Sequence, residues 1–307
     1  MFTGINEGMN KPSCFVATID LALTDKLRSD LEEKGFDLTQ PPYTVFSARK
    51  EGLTCTLYTS GKLTVQGKGQ SDFITFYLEP EILKNLSYSH PEIDVDFTPR
   101  IGIDEAGKGD FFGPLCIAGV FANEETLKEL LKIGVRDSKQ IGDKAIVPLA
   151  SKIRSLCPHS LVLLYPKKYN ELYGKFHNLN RLLAWAHATA IEELVKQTDC
   201  HNVTIDQFGD ESLVINAVKS KKLTIELAQQ HKGEADPVIA AASILARAAF
   251  LDGLQKLGKS IGDELPKGAS AAVVKSGRAL VARHGEAVLE TVAKLHFKTY
   301  KDVTGHD

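Results

Sequence analysis

The stretch Ile101-Gly-Ile-Asp-Glu-Ala-Gly-Lys-Gly-Asp-Phe-Phe-Gly-Pro114 decides how the rest of the chain is read. A short β-branched run ends in two adjacent carboxylates, Asp104 and Glu105, and a glycine-rich turn follows at once. Carboxylates hold hard divalent cations, and the amides of a glycine turn hold anions. A strand end that offers both suits phosphodiester chemistry. Neighbours along a strand point to opposite faces, so both acids reach one site only if the strand ends or bulges there, which Gly107 permits. Two solvated acids above an ordinary hairpin turn account for the same letters. A dinucleotide fingerprint does not: the spacing is G-x-G-x-x-x-G, and a strand-like run from Pro114 follows where a helix is needed. No Gly-Lys-Ser/Thr follows either, so the turn is not a P-loop.

Working outward, strand-like runs at 101–106, 114–121, 161–165, 203–206 and 223–227 alternate with helical stretches at 125–132, 143–156, 178–197, 210–218, 237–257 and 270–284. Such alternation predicts an α/β domain. Only the glycine turn separates the first two runs, which predicts an antiparallel hairpin inside a mixed sheet. Leu86 to Arg100, with Ser87, Ser89, Pro91, Pro99 and several acids, reads as a linker. Ahead of it, Cys14 to Leu23 reads as a strand, and Thr24 as the cap of a helix running to Lys34, with Gly35 beyond. Tyr43–Ala48, Leu53–Thr59 and Lys62–Gln66 read as strands joined by Glu51-Gly52 and Ser60-Gly61 turns. Ser71 opens an amphipathic stretch with Phe73, Ile74, Tyr77 and Leu78 on one face. The expected division is a small α+β domain over 1–85, a linker over 86–99 and an α/β domain over 100–307.

Other candidates lie at element ends. Asp206 closes the apolar run Val203-Thr-Ile, and open α/β sheets gather ligands at the carboxyl ends of their strands. A strand-terminal Asp serves equally as a loop or cap residue. Glu234-Ala-Asp236-Pro237 precedes a long Ala-rich helix. Asp at N-cap with Pro at N1 is ordinary helix-start chemistry, and a capping Asp can also lend an oxygen to a metal. Arg136-Asp-Ser138-Lys139 is either a plain turn or a phosphate cradle, with Ser138 as donor and Arg136 and Lys139 as charge. Lys167, Lys168 and Tyr169, like Lys219, Lys221 and Lys222, form either a patch that tracks a nucleic-acid backbone or a plain solvated surface. Asn178 reads as the cap of a helix carrying Trp185 and His187, with Trp185 as core.

Bulk properties narrow the classes. The formal net charge of the 307 residues is -2, so any footprint for nucleic acid has to be local. The 5 cysteines lie far apart without a C-x-x-C pair, which argues against a disulfide framework or zinc ribbon and for reduced thiols in a cytoplasm. The N-terminus shows no basic segment followed by an apolar core, so no secretory signal is expected. The most apolar stretch, Val238 to Leu251, is short for a membrane span and carries Arg247, so no membrane partner is expected.

Asp-Glu-Ala-Gly-Lys-Gly-Asp at 104–110, Asp-Ser-Lys at 137–139, Asn-Leu-Asn at 178–180, Ile-Asp at 205–206 and Ala-Asp-Pro-Val-Ile-Ala-Ala-Ala-Ser-Ile-Leu-Ala-Arg at 235–247 recur in that order. Together they resemble the type 2 ribonucleases H. The N-terminal extension, with Phe76-Tyr-Leu-Glu-Pro-Glu-Ile-Leu83 before the linker, makes the chain similar to bacterial ribonuclease HIII. The resemblance implies an RNase H-like mixed β-sheet flanked by helices, preceded by a TATA-binding-protein-like domain. It implies endonucleolytic cleavage of the RNA strand of RNA–DNA hybrids with Mg²⁺ or Mn²⁺; apart from the resemblance, the chain is expected to be a cytoplasmic monomer. By motif match, Asp104, Glu105, Asp206 and Asp236 are its catalytic and metal-holding carboxylates. The backbone of Gly107-Lys108-Gly109 reads the ribose 2′-hydroxyl, and Ser138 contacts phosphate, with Lys139 and Asn178 as further substrate contacts. Lys108 stands where related enzymes often carry Arg or Thr. On this reading two cations roughly 3.5–4 Å apart straddle the scissile phosphate and leave 5′-phosphate and 3′-hydroxyl ends. Lys50, Lys62 and Lys68 are the candidates for backbone contacts in the N-terminal domain. The competing classes are a non-catalytic hybrid-binding protein and a different two-metal nuclease.

Overall fold

The computed structural model describes residues 14–85, 88–89, 95–135, 138, 141–206, 210–230 and 235–306. Two compact units emerge, Met1–Asp96 and Phe97–Asp307. In the first, β1 (Cys14–Thr18), α1 (Thr24–Glu33), β2 (Asp37–Thr39), β3 (Thr44–Lys50), β4 (Leu53–Tyr58) and β5 (Lys62–Gly67) precede α2 (Gln70–Phe73), which widens into π-type turns over Ile74–Leu83. The strands form one antiparallel sheet in the order β1-β5-β4-β3-β2. Alternation sends Phe46, Ala48, Cys55, Leu57, Leu63 and Val65 into a core with Leu27, Leu31, Ile74 and Leu78. Thr54, Thr56, Thr64 and Gln66 take the opposite parity and give the other face a largely polar character, with Arg49 beside Thr54 and Val16 beside Thr64.

Two expectations here need correction. The first strand stops at Thr18, not Leu23, because the Asp20 carboxylate accepts the Ala22 N–H and turns the chain into a single 3₁₀ turn. The cap position of α1 then falls on Leu23, with Thr24 already helical. The edge strand β2 is an addition, too short to show a pattern of its own.

The second unit begins with β6 (Arg100–Ala106), β7 (Leu115–Ala122), α3 (Glu124–Lys132), α4 (Asp143–Leu156) and β8 (His159–Leu164). It continues through α5 (Pro166–Phe176), α6 (Leu179–Thr198), β9 (Asn202–Asp206), α7 (Glu211–Ser220), β10 (Glu226–Gln230) and α8 (Pro237–Ile261). It ends with α9 (Ala271–His284), α10 (Val288–Val292) and α11 (Lys298–Thr304). The sheet order is β10-β9-β6-β7-β8, parallel from β10 to β6 and antiparallel from β6 to β8. This is the mixed sheet and the β6–β7 hairpin that the sequence predicted. Alternation along β6 assigns its faces. Ile101 and Ile103 join the core built on α6. Gly102 faces α8 so closely that a Cβ would stand 2.6 Å from the Val238 carbonyl carbon.

Three differences from the sequence reading have local causes. Strand β10 starts three residues later than expected, since the Leu223 N–H still bonds the Val218 carbonyl at the exit of α7. Helix α5 was missed because its first turn reads as a charged run. Pro166 at N1, with Tyr169 and Leu172 buried, is the helical signal, and Tyr169 is core rather than a surface contact. Helix α8 runs 25 residues and by length and apolarity alone passes for a membrane span, contrary to the shorter stretch read from sequence. Its apolar side chains are accounted for by the fold, with 72% of the most apolar window buried.

Replacing Gly102 by Ala forces the α8 backbone off the β6 backbone, and overpacking of this kind costs ~1–3 kcal/mol. The melting temperature should fall by about 2–4 °C for each kcal/mol lost. Unchanged melting by calorimetry would show that α8 can retreat freely.

Candidate active site

The period of two along β6 places Asp104 on the α8 face, with Gly102, and Glu105 on the α6 face, with Ile103. The strand runs on to Ala106 without the early end that the two acids seemed to need. Each is instead met by a helix on its own side. On the α8 side, Ser243 hydrogen-bonds Asp104, and its Oγ lies 2.7 Å from Ser138 Oγ. On the α6 side, buried His187 has its Nε2 3.1 Å from Glu105 Oε2, while Lys108 Nζ stands 3.4 Å from Oε1. Asp206 ends β9, whose Ile205 pairs in register with Ile103, so Asp206 stands beside Asp104 at the carboxyl ends of adjacent parallel strands.

All of these but His187 line one cavity of about 400 Å³ together with Gly107, Gly109, Asp110, Arg247 and Lys267. Gly107 is at φ +87°, where a Cβ would meet the Pro114 carbonyl oxygen at 2.2 Å, so no other residue fits. Gly109 has nothing within 4 Å of the Cβ position, which leaves its backbone open to a ligand. Across the cavity Arg247 donates to the Ser138 carbonyl, and Arg247 Nη2 and Lys267 Nζ share the Asp143 carboxylate at 2.6 and 2.5 Å.

Burial pushes the Asp104 carboxyl up, and the charges of Glu105 and Asp206 add to it, to about 7. Burial also pushes Glu105 up, but His187 and Lys108 outweigh it and hold Glu105 below its ordinary value. Asp104 and Asp206 thus bring two carboxylates together on the α8 side. The donors are hard oxygens, the class that divalent Mg²⁺ or Mn²⁺ takes. Among the described residues no three acid, His or Cys side chains converge closely enough to ligate one ion by themselves. That fits a metal which completes its shell with water and substrate oxygens.

Of the residues singled out in the sequence, Asp104, Glu105, Asp206, Gly107, Lys108, Gly109 and Ser138 come together here. Asp236 does not. Its Oδ1 accepts the Val238 and Ile239 N–H groups as the cap of α8, and its Oδ2 lies 2.9 Å from Arg100 Nε. Arg100 opens β6, so Asp236 belongs to the far end of that strand from Asp104, and four residues of strand span ~13 Å. The reading of Asp236 as a fourth metal ligand is therefore corrected to a buried cap and ion pair. Asn178 caps α6 by accepting the Arg181 N–H, and it does not line the cavity. Lys139, with Arg136 and Glu234, lies outside the described residues. Sequence reasoning missed His187, Ser243, Arg247 and Lys267. Only helical spacing held a signal for them: Ser243 and Arg247 sit four apart on α8, one turn of a shared face.

Acidic side chains at the ends of parallel strands, above a glycine turn on a mixed sheet, define a nuclease of the ribonuclease H type. Residues 101–300 match the Ribonuclease HII family model, and residues 14–89 match a domain of unknown function, DUF3378. Ribonuclease HIII of Protochlamydia amoebophila is 55% identical over 291 residues, 95% of this chain and 97% of that one. Ribonuclease HIII of Chlamydia trachomatis serovar L2 is 47% identical over 96% of this chain and 98% of that one. Among solved structures, Bst-RNase HIII in complex with Mn²⁺ superposes with a TM-score of 0.67 at 28% identity, covering 95% of this chain and 98% of that one. Aquifex aeolicus RNase H3 gives a TM-score of 0.56 at 26% identity, covering 92% of this chain and 100% of that one. The chain belongs to the ribonuclease HII family, in its ribonuclease HIII branch. It is a ribonuclease H, an endonuclease that hydrolyses the RNA of RNA–DNA hybrids with a divalent metal.

The two aspartates should separate cleanly. Asp236→Asn keeps the capping oxygen but breaks a buried pair, a change that costs ~3–5 kcal/mol. Its melting temperature should drop while hybrid cleavage at a permissive temperature stays within about threefold of wild type, far from the loss that removing a catalytic group causes. Asp206→Asn should abolish cleavage with little loss of stability. Cleavage lost in both variants, with Asp236→Asn fully folded, would return Asp236 to the site.

Proposed function

We propose that Asp104, Glu105 and Asp206 hold the divalent cation and position the scissile phosphate of the RNA strand, giving 5′-phosphate and 3′-hydroxyl ends. The observation that carries this is the placement of Asp104 and Asp206 side by side on the α8 face of adjacent parallel strands, with Glu105 lining the same cavity. A bound cation would neutralise that charge and supply Lewis acidity for the attack of water on the phosphate. The residues around it do the rest. His187 fixes one oxygen of Glu105 and so fixes its rotamer. The linked hydroxyls of Ser138 and Ser243 offer a donor to a phosphate oxygen, and Arg247 and Lys267 stand behind them as charge. The open backbone at Gly109 lets a ribose approach the turn, where the 2′-hydroxyl distinguishes RNA from DNA. All three carboxylates come from one chain, which supports action as a monomer. The cysteines among the described residues are free thiols, which supports a reducing cytoplasm.

The test is a cleavage assay on labelled hybrid, duplex DNA, duplex RNA and a DNA duplex with one ribonucleotide, with Mg²⁺ and with Mn²⁺. Cleavage confined to RNA linkages and dependent on metal is the expected result; metal-independent cutting, or cutting of duplex DNA, overturns it. Asp104→Asn should abolish cleavage and leave hybrid affinity within about threefold, since the lost group acts on the reaction and not on ground-state binding. Without metal the same variant should melt at least ~2 °C higher, because it removes a buried, repelled charge worth roughly 1 kcal/mol or more. A variant that melts lower would remove the electrostatic argument.

We infer further that the N-terminal unit adds sequence-independent affinity through the polar sheet face of Thr54, Thr56, Thr64 and Gln66. Lys62 and Lys68 are exposed in this unit, whereas Lys50 Nζ is engaged by the Lys34 carbonyl at 2.7 Å. Deleting residues 1–96 should raise KM at least ~tenfold and change kcat less than about threefold, the pattern of lost uniform binding. A fall in kcat alone would mean that this unit shapes the reacting site.

A further inference from the structure

Lys294 is a buried lysine that the chemistry above does not use. Its side chain is fully buried, and its Nζ donates to three main-chain carbonyl oxygens: Asp110 at 2.7 Å, Gly113 at 2.8 Å and, longer, Phe112 at 3.4 Å. Burial holds the ammonium down at about 8, so its placement is costly. The three acceptors belong to the segment that leaves the Gly107-Lys108-Gly109 turn. The backbone around Lys294 grips the same segment. Lys294 N–H donates to the Phe111 carbonyl, Gly113 N–H donates to the Val292 carbonyl, and Phe112 bridges Ala293. From a second direction, Phe111 N–H donates to the Gly268 carbonyl, while the Asp110 carboxylate accepts the Gly268 N–H at 2.6 Å. An apolar side chain at 294 would leave three inward carbonyls unsatisfied, which is the condition a folded turn avoids.

We propose that Lys294 is a positioning residue for the sugar-reading turn. Its ammonium draws the carbonyls of 110, 112 and 113 inward and so fixes the backbone of 107–109 that lines the cavity. It sets how well the enzyme tells a ribose from a deoxyribose, not how fast the bond breaks. This rests on the reading that the turn contacts the 2′-hydroxyl, and wild type tests that reading first: its affinity for hybrid over duplex DNA, in Ca²⁺ without cleavage, must exceed unity.

The full-length Lys294→Met variant, of similar length but uncharged, is then compared with wild type for KM, kcat and the hybrid-over-DNA affinity ratio. KM for hybrid should rise roughly tenfold, the affinity ratio should fall by a similar factor, and kcat should change less than about threefold. Leu280→Ala, a truncation in the same core that also lowers the melting temperature, should leave the ratio unchanged. Asp110→Ala releases the second tether without removing a buried charge and should shift the ratio in the same direction by a smaller factor. A folded Lys294→Met with an unaltered ratio overturns the proposal, as does an equal shift in Leu280→Ala. Should Lys294→Met fail to fold, an unaltered ratio in Asp110→Ala overturns it alone.

Discussion

The contact of the α8 backbone with the β6 backbone at Gly102 is the constraint on which the site depends. A helix seated that low on a strand cannot rotate or slide without clashing, so its register against β6 is fixed. From that one contact the spacing of the helix carries Ser243 to Asp104 and Arg247 to the Ser138 carbonyl. The cap at Asp236 and its bond to Arg100 fasten the same helix to the start of the same strand. The residue read as a metal ligand thus serves the site from its far end, by fixing where the helix begins.

The electrostatics follow from the strand's alternation. Adjacent acids on a continuous strand face different helices, so they receive different environments. Glu105 finds a histidine and a lysine and is held ionised. Asp104 finds two other acids and a serine and is pushed toward its protonated form. One of the pair comes already held in place, while the other carries the affinity for a cation.

Much of the fold was legible because its signals are local. The α8, α6 and β6–β7 elements announce themselves by period, cap and turn, and the order of motifs pointed to the family. The glycine turn and three of the four acids singled out in the sequence line one cavity, since strand ends are readable. What escaped was of two kinds. Asp236 carried two valid meanings, cap and ligand, and only the position of its partner Arg100 separates them. His187 and Ser243 owe their roles to which helix face lies over which strand, and Lys267 to the path of the chain between α8 and α9, and spacing along one chain specifies neither. Helix α5 was hidden by its lysines, which sit on the outer side of a buried Tyr169 and Leu172.

Asp143 gives the cavity a further property. Two of its cationic side chains, Arg247 and Lys267, neutralise their charge on one carboxylate at the rim. A protein of small net negative charge whose cleft cations Arg247 and Lys267 are already paired projects little positive potential beyond a Debye length. Long-range attraction then does little to gather polyanions indiscriminately. A duplex that arrives has to compete with Asp143 for those two side chains, so weakly fitting nucleic acid gains less from them than a duplex seated deep enough to displace the carboxylate.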